Sequence, residues 1–433
     1  MDGISAGDTA WVLVSAALVL VMTPALAFFY GGMVRRKNLL STLTLSFAMI
    51  ALIGIQWVLV GYSLAFGSDH AGLIGSLEHL GLAGVGAAPS SYAPTIPLLA
   101  FAAFQMMFAI ITPALITGAF VERIRFSAFI LFSLLWATLV YDPVCHWVWG
   151  EGGILRSIGA LDFAGGTVVH ITAGFSALTF AAVIGPRRGY GRASFEPNNI
   201  PFVVLGAGLL WMGWFGFNGG SALAANGLAT HALVTTNTAA SAATLVWMVL
   251  SWRDGKPSVL GMVTGAVVGL VAITPGAGYV TPLAAILIGG VGAAISFYAI
   301  RWIKGRRRVD ESLDVFACHG LGGLWGALAT GLFATRSVNP AGADGLFYGN
   351  PAQFAIQRIV YDVLRYNPAS VKIFNINFFL SENPYRAGYL ADYTKTYGAL
   401  TGVVVLMMWI WLGTFSVLFG AAFESVLRER RGG

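Results

Sequence analysis

The chain has 433 residues, of which 57% are hydrophobic and 10% charged, with a formal net charge of +6. Soluble domains carry roughly 25% charged residues, so the composition excludes an ordinary soluble protein and predicts an all-α protein that crosses a membrane many times. In such a protein the placement of basic residues carries more information than their sum, and no nucleic-acid partner is expected.

Apolar runs long enough to cross a bilayer, about 20 residues each, fall at 10–31, 43–66, 95–119, 126–148, 164–184, 201–222, 232–252, 258–274, 281–302, 315–334 and 398–426. They predict eleven transmembrane helices. The first differs from a secretory signal in polarity, because Asp2 and Asp8 precede it and RRK follows at 35–37; it reads as a retained helix.

Basic residues occupy alternate connections: Arg35, Arg36 and Lys37; Arg123 and Arg125; Arg187, Arg188 and Arg192; Arg253 and Lys256; the run 301–308; and Arg428, Arg430 and Arg431. The positive-inside rule makes that side the cytoplasm. With an odd number of helices, the N-terminus then lies outside and the C-terminus in the cytoplasm, which suits a multi-pass protein of the cell (inner) membrane.

Two echoes suggest a duplication. FFYGGM at 28–33 resembles GFNGGS at 216–221, and LDFAGGTVVH at 161–170 resembles LDVFACH at 313–319. Helices one and six match, as do five and ten, which predicts a five-plus-five inverted repeat with a path along the interface of its halves. Three parts follow: a ten-helix core at 1–335, an extracytoplasmic insertion or extended loop at 336–397 with a short helix near 352–364, and a last transmembrane helix with a short tail at 398–433. The insertion can be a structural cap or a partner surface.

Ionisable groups inside membrane spans are costly and are functional candidates by default. His170 and His319 fall among small, apolar neighbours in helices five and ten, the repeat-related pair. A buried histidine can serve only a structural hydrogen bond, but two at repeat-related positions can meet and form a short proton relay. Asp162 and Asp314 each precede one of them and read as structural or electrostatic, each accepting hydrogen bonds near a helix start; Asp162 can alternatively be a direct cation ligand. Phe108, Trp149, and Phe217 with Ser221 lie beside polar or small residues, and by position alone each is a packing residue. Cys145 and Cys318 lie in apolar segments and read as buried side chains, with no metal-binding spacing. No cofactor is expected, and no nucleophile with a nearby base appears, so the protein is not read as an enzyme.

FYGGMVRRKN, ERIRF, LDFAGGTVVH, WFGFNGGSALAAN and HGLGGLWGAL, in this order, resemble the ammonium transporter (Amt/Mep/Rh) family, and its Amt branch in particular, over about residues 8–335. The resemblance implies a homotrimer of eleven-helix protomers, each with a hydrophobic pore. It implies that Trp149 and Ser221, with Phe108 close by, recruit ammonium at the outer face. It further implies that Phe108 over Phe217 forms a gate, that His170 and His319 line the pore, and that Asp162 supports the recruitment site indirectly.

Two departures stand out. The run WGEGGILRSIGALD at 149–162 is one residue longer than the family spacing and sets Glu151 beside Trp149. Family members enter the last helix soon after GNP, here at 349–351, and then carry a cytoplasmic tail that contacts neighbouring subunits and PII-type regulators. This chain has the long outer segment and then RERRGG, so regulation by a PII-type protein is not expected. The rival reading is an ammonium sensor, a receptor that binds the ion and signals. NPA occurs at 339–341, 350–352 and 367–369, but all three copies crowd one outer segment, unlike the paired half-helices of water channels.

Overall fold

Each apolar run predicted between residues 10 and 334 is helical in the computed structural model, which describes residues 3–306 and 309–365. In chain order the helices are α1 (Ala6–Met33), α2 (Arg36–Phe66), α3 (Leu98–Phe120), α4 (Phe126–Ser157), α5 (Gly166–Ile184), α6 (Ile200–Gly220), α7 (Gly227–Arg253), α8 (Val259–Ile273), α9 (Pro282–Arg306) and α10 (Phe316–Phe333). Nine of these described helices are long and apolar enough to cross a membrane; α8, at 15 residues, is shorter. A further helix, α11 (Pro351–Arg365), covers the position expected near 352–364. The predicted span at 398–426 lies outside the described residues.

Helix starts follow capping chemistry. Ser5 Oγ accepts from Asp8 N, Asn199 Oδ1 from Phe202 N, Asn226 Oδ1 from Leu228 N and Ala229 N, and Ser258 Oγ from Gly261 N. Each bond satisfies backbone donors that a helix start leaves open. Large apolar side chains such as Phe47, Ile55 and Leu283 stand exposed on the outside of the bundle, the pattern of helices that meet lipid.

Small residues set the internal spacing. A Cβ on Gly206 of α6 would run into the backbone of Phe29 and Ala25 in α1, and one on Gly213 would meet Met22. Farther along, Trp11 Nε1 donates to Gly219 O at 3.1 Å. Helices α1 and α6 therefore lie backbone to backbone, as close packing in a membrane requires. A second crossing joins α5 and α10, where Gly174 rests directly on Gly320.

Both α5 and α10 open with a wide π-helical turn, Gly166–Ile171 and Phe316–Leu321. Such turns add a residue to the helical circuit and recur at functional sites. Two more lie at Trp57–Gly61 of α2 and Ala137–Tyr141 of α4. Among the described residues the all-α expectation meets a small exception, a hairpin pairing Asp69–His70 (β1) with Ile74–Gly75 (β2).

Loops at one end are tied together by charge. Glu122 bonds Arg35 Nη2 at 2.9 Å and Asn38 at 2.7 Å, Arg187 bridges Glu122 and Asp310 at 3.4 and 2.8 Å, and Arg123 bonds Asp310 at 3.1 Å. Arg35 and Arg187 also lie over the ring of Phe195, at 4.6 and 4.0 Å. Burial alone would raise the Glu122 carboxyl, but the bonds from Arg35 and Asn38 outweigh it and hold the group below the usual carboxylate range. Asp310 behaves alike, with burial outweighed chiefly by Arg187. Arg35, Arg123 and Arg187 come from three of the connections expected to share a side, and here they meet.

Candidate functional site

At the opposite end, the fourth helix turns sharply after Trp149. The indole Nε1 donates to the carbonyl of Asp162 at 2.9 Å, and the carbonyl of Trp149 accepts from Arg156 at 2.5 Å. The Asp162 carboxylate faces the start of α5. Its Oδ1 accepts from Gly165 N and Gly166 N at 2.8 and 2.6 Å, and its Oδ2 from Thr167 N and Val168 N at 2.7 and 3.3 Å. Four donors thus converge on one buried side chain. Asp162 gathers the first turn of α5 with its side chain and fixes Trp149 with its backbone.

Beneath Trp149 the aromatic residues form a column. Phe108 of α3 meets the indole edge-on with centroids 5.9 Å apart, and lies 4.3 Å from Phe217 of α6. Ser221, one helical turn beyond Phe217, donates its hydroxyl to the Phe217 carbonyl at 2.8 Å. Phe217 and Trp214 both lie nearly parallel to the ring of His170, at 5.8 and 5.3 Å. Trp214 is itself held by a 2.9 Å bond from its Nε1 to Thr274 Oγ1.

His170 and His319 come together at the crossing of α5 and α10. Their rings are 5.3 Å apart, and Nδ1 of one faces Nδ1 of the other at 3.3 Å. Both are buried. A neutral imidazole has one donor and one acceptor nitrogen, so in this bond one ring carries its proton on Nδ1 and the other on Nε2. His170 Nε2 has no partner among the described protein atoms. The pair borders a narrow cavity of about 10 Å³, walled by Phe217, Trp214 and apolar side chains including Leu26, Ile111 and Val169. That is room for about one water molecule.

The expectation for Asp314 is corrected. Its carboxylate does not accept the backbone donors at the start of α10; it bonds Lys304 Nζ at 2.5 Å. Glu311 takes the donors instead, from Val315 N at 2.7 Å and Phe316 N at 3.1 Å. Asp314 sits in the left-handed backbone region at φ 62°, which a short polar side chain tolerates well. Gly165 has the corresponding conformation before α5, at φ 107°.

Sequence reasoning passed over several buried polar residues of the bundle. Asp142 of α4 is fully buried, accepting from Gln56 Nε2 of α2 at 2.7 Å, and Gln56 also bonds Thr138 at 3.2 Å. The signal was present, a carboxylate in an apolar run. Gln357 of α11 bonds both N and O of Leu161, at 2.9 and 2.8 Å, so α11 reaches the residue beside Asp162.

Comparison with known proteins places this architecture. A sequence profile described as Ammonium Transporter Family matches residues 10–367. A second, described as Virulence factor BrkB, matches residues 385–433, outside the described residues. An ammonium transporter of Bacillus subtilis (strain 168) is 55% identical over 345 residues, 79% of this chain and 84% of that protein. Among solved structures, Mep2 of Saccharomyces cerevisiae superposes with a TM-score of 0.80 at 35% identity, covering 87% of this chain and 86% of the other. A structure titled Sensor Amt Protein gives 0.76 at 27% identity, covering 90% and 93%.

Proposed function

The chain belongs to the ammonium transporter family, and from that premise we propose that it recruits ammonium at an outer aromatic site and passes it through a hydrophobic pore lined by His170 and His319. The observation that carries this reading is the Nδ1–Nδ1 bond between the two rings, at 3.3 Å beside a narrow apolar-walled cavity.

The physical problem is desolvation. Bare ammonium meets a large Born penalty in an apolar passage. Unlike potassium, it can shed a proton and continue as a small neutral amine, so selection can rest on chemistry as well as size. Trp149 and Phe108 offer ring faces and Ser221 a hydroxyl to replace part of the water shell; a cation over an aromatic face gains about 0.5–2 kcal/mol. Phe108 against Phe217 then blocks hydrated ions. The histidine pair below accepts the hydrogen bond of the entering molecule and relays the proton through the Nδ1–Nδ1 bond. Asp162 serves this path without touching the ion, because its carboxylate is engaged by four backbone N–H groups.

The wider assignment has eleven helices in a five-plus-five inverted repeat, a homotrimer in the inner membrane, an outer N-terminus and a cytoplasmic C-terminus. The α1–α6 and α5–α10 contacts support the repeat, since both join helices of corresponding order. Solid-supported membrane electrophysiology on reconstituted protein tests the transport reading: ammonium evokes a saturable current and potassium does not. A His170→Ala/His319→Ala variant that keeps a selective current sinks the relay. The similarity to a sensor protein favours a second reading, in which ammonium binds and is not carried; saturable binding without current identifies it.

A further inference from the structure

His146 of α4, one turn before Trp149, is completely buried, and both of its ring nitrogens face oxygen acceptors. Nδ1 lies 3.0 Å from the carbonyl of Ala65, and Nε2 lies 2.9 Å from Oδ1 of Asp69 on the outer hairpin. A carbonyl can only accept. A neutral imidazole has a single N–H, so it cannot satisfy two acceptors at once. Turning the ring over does not help, since both partners are oxygens. One extra proton therefore belongs to the pair. Asp69 also accepts from Gly72 N with both carboxylate oxygens, at 2.8 and 3.0 Å, and its side chain is 29% exposed. Both carboxylate oxygens already act as acceptors there, which leaves the donor role to His146 Nε2.

The turn that follows Trp149 is folded onto this pair. A Cβ on Gly150 would strike the His146 ring, one on Gly152 (φ 87°) would lie 2.6 Å from Asp69 Cβ, and one on Gly153 would strike the His146 carbonyl. The glycines of WGEGG are thus the space that the His146–Asp69 pair occupies. Gly150 N donates to His146 O at 2.9 Å, and Ile154 N to Gly72 O at 2.9 Å. The hairpin, the turn and Trp149 form one connected unit around the His146 ring.

We propose that Asp69 and His146 are positioning residues for the outer ammonium site, an imidazolium–carboxylate pair that holds the Trp149 turn in place while His146 carries both ring protons. The proposal rests on the reading of Trp149 as part of the recruitment site. Several polar groups of the same region have partners of their own. Asp142 bonds Gln56, Asp162 bonds the start of α5, Arg156 bonds the Trp149 carbonyl, and Tyr92 Oη accepts from Glu151 N. Tyr62 packs on His79, His79 lies beside Glu78, and His70 is exposed on the hairpin.

The test uses reconstituted full-length protein and ammonium currents at a single pH. Asp69→Ala raises KM by about three- to tenfold while the maximal current per protein stays constant, the split expected of a positioning role. In Asp69→Asn the amide donates to a neutral His146 Nε2 and keeps the link, so KM stays within about twofold of the wild type. ¹⁵N magnetic resonance shows both nitrogens of His146 protonated in the wild type, and one in Asp69→Asn. An unchanged KM in Asp69→Ala, or a single protonated nitrogen on His146 in the wild type, overturns the proposal. Trp149→Leu separates the underlying reading: an unchanged KM removes the recruitment role of Trp149, while the resonance result still judges the pair itself.

Discussion

Gly174 of α5 and Gly320 of α10 are in direct backbone contact, with no room for a Cβ between them. His170 lies one turn before Gly174, and His319 immediately precedes Gly320, so this crossing is what brings the two imidazoles within bonding distance. Gly174→Ala forces the helices apart. Overpacking of this kind costs about 1–3 kcal/mol, so thermal unfolding in detergent occurs at lower temperature. Ammonium current falls with it, whereas an alanine at the open Gly208 changes neither.

The histidines share one hydrogen bond, so their variants are expected to be non-additive. Single His170→Ala and His319→Ala substitutions each lower selective current strongly, and the double variant costs little more than either. A double-mutant cycle on current gives a coupling of about 0.5–3 kcal/mol. Full additivity separates the two rings functionally.

Asp162→Ala leaves four backbone donors without their acceptor in a buried site. Leaving a buried donor unpaired costs about 1–3 kcal/mol, and the start of α5 loses its anchor. The expected outcome is a lower unfolding temperature together with weaker ammonium binding. Asp162→Asn, which keeps one acceptor oxygen, falls between wild type and alanine on both measurements.

How far the sequence can be read differs between these sites. The helices were legible because twenty-residue apolar runs admit few alternatives in a membrane protein, and His170 and His319 stood out because imidazoles are rare in such runs. Asp142 carried the same signal and was passed over, lying within a run otherwise rich in aromatic and aliphatic side chains. Glu311 was hidden by the echo that aligned Asp314 with Asp162: the two loops solve one capping problem with side chains of different length from different positions. Nothing in the letters shows that His146 and Asp69, 77 residues apart, are partners. That pairing exists only once the β1–β2 hairpin has folded onto α4.

Gln56 and Asp142 tie α2 to α4 in the apolar interior. Gln56→Leu strands the carboxylate and is expected to destabilise the protein by about 1–3 kcal/mol. Replacing both residues by leucine recovers most of that loss, because two apolar side chains leave no orphaned group. Unfolding temperatures of the two variants decide the matter.

The charged ring that joins Arg35, Glu122, Arg187 and Asp310 predicts an acid limit. Both carboxyl groups sit below their ordinary range, so the stability they contribute is complete above the unfolded carboxylate range, about pH 4, and is lost as pH falls through the lower folded values. Thermal unfolding followed from neutral to acid pH therefore shows a decline that Glu122→Gln makes shallower.

The bond between His170 and His319 makes the two rings unlike although they are chemically the same. Only one of them can own the shared hydrogen, so their far nitrogens present opposite polarities, one bare and one protonated. Handing a proton from one side to the other exchanges those identities. A pair that relays protons as proposed is then left as its own mirror image and must rewind before the next passage from the same side, so each proton moved requires a reset of both tautomers.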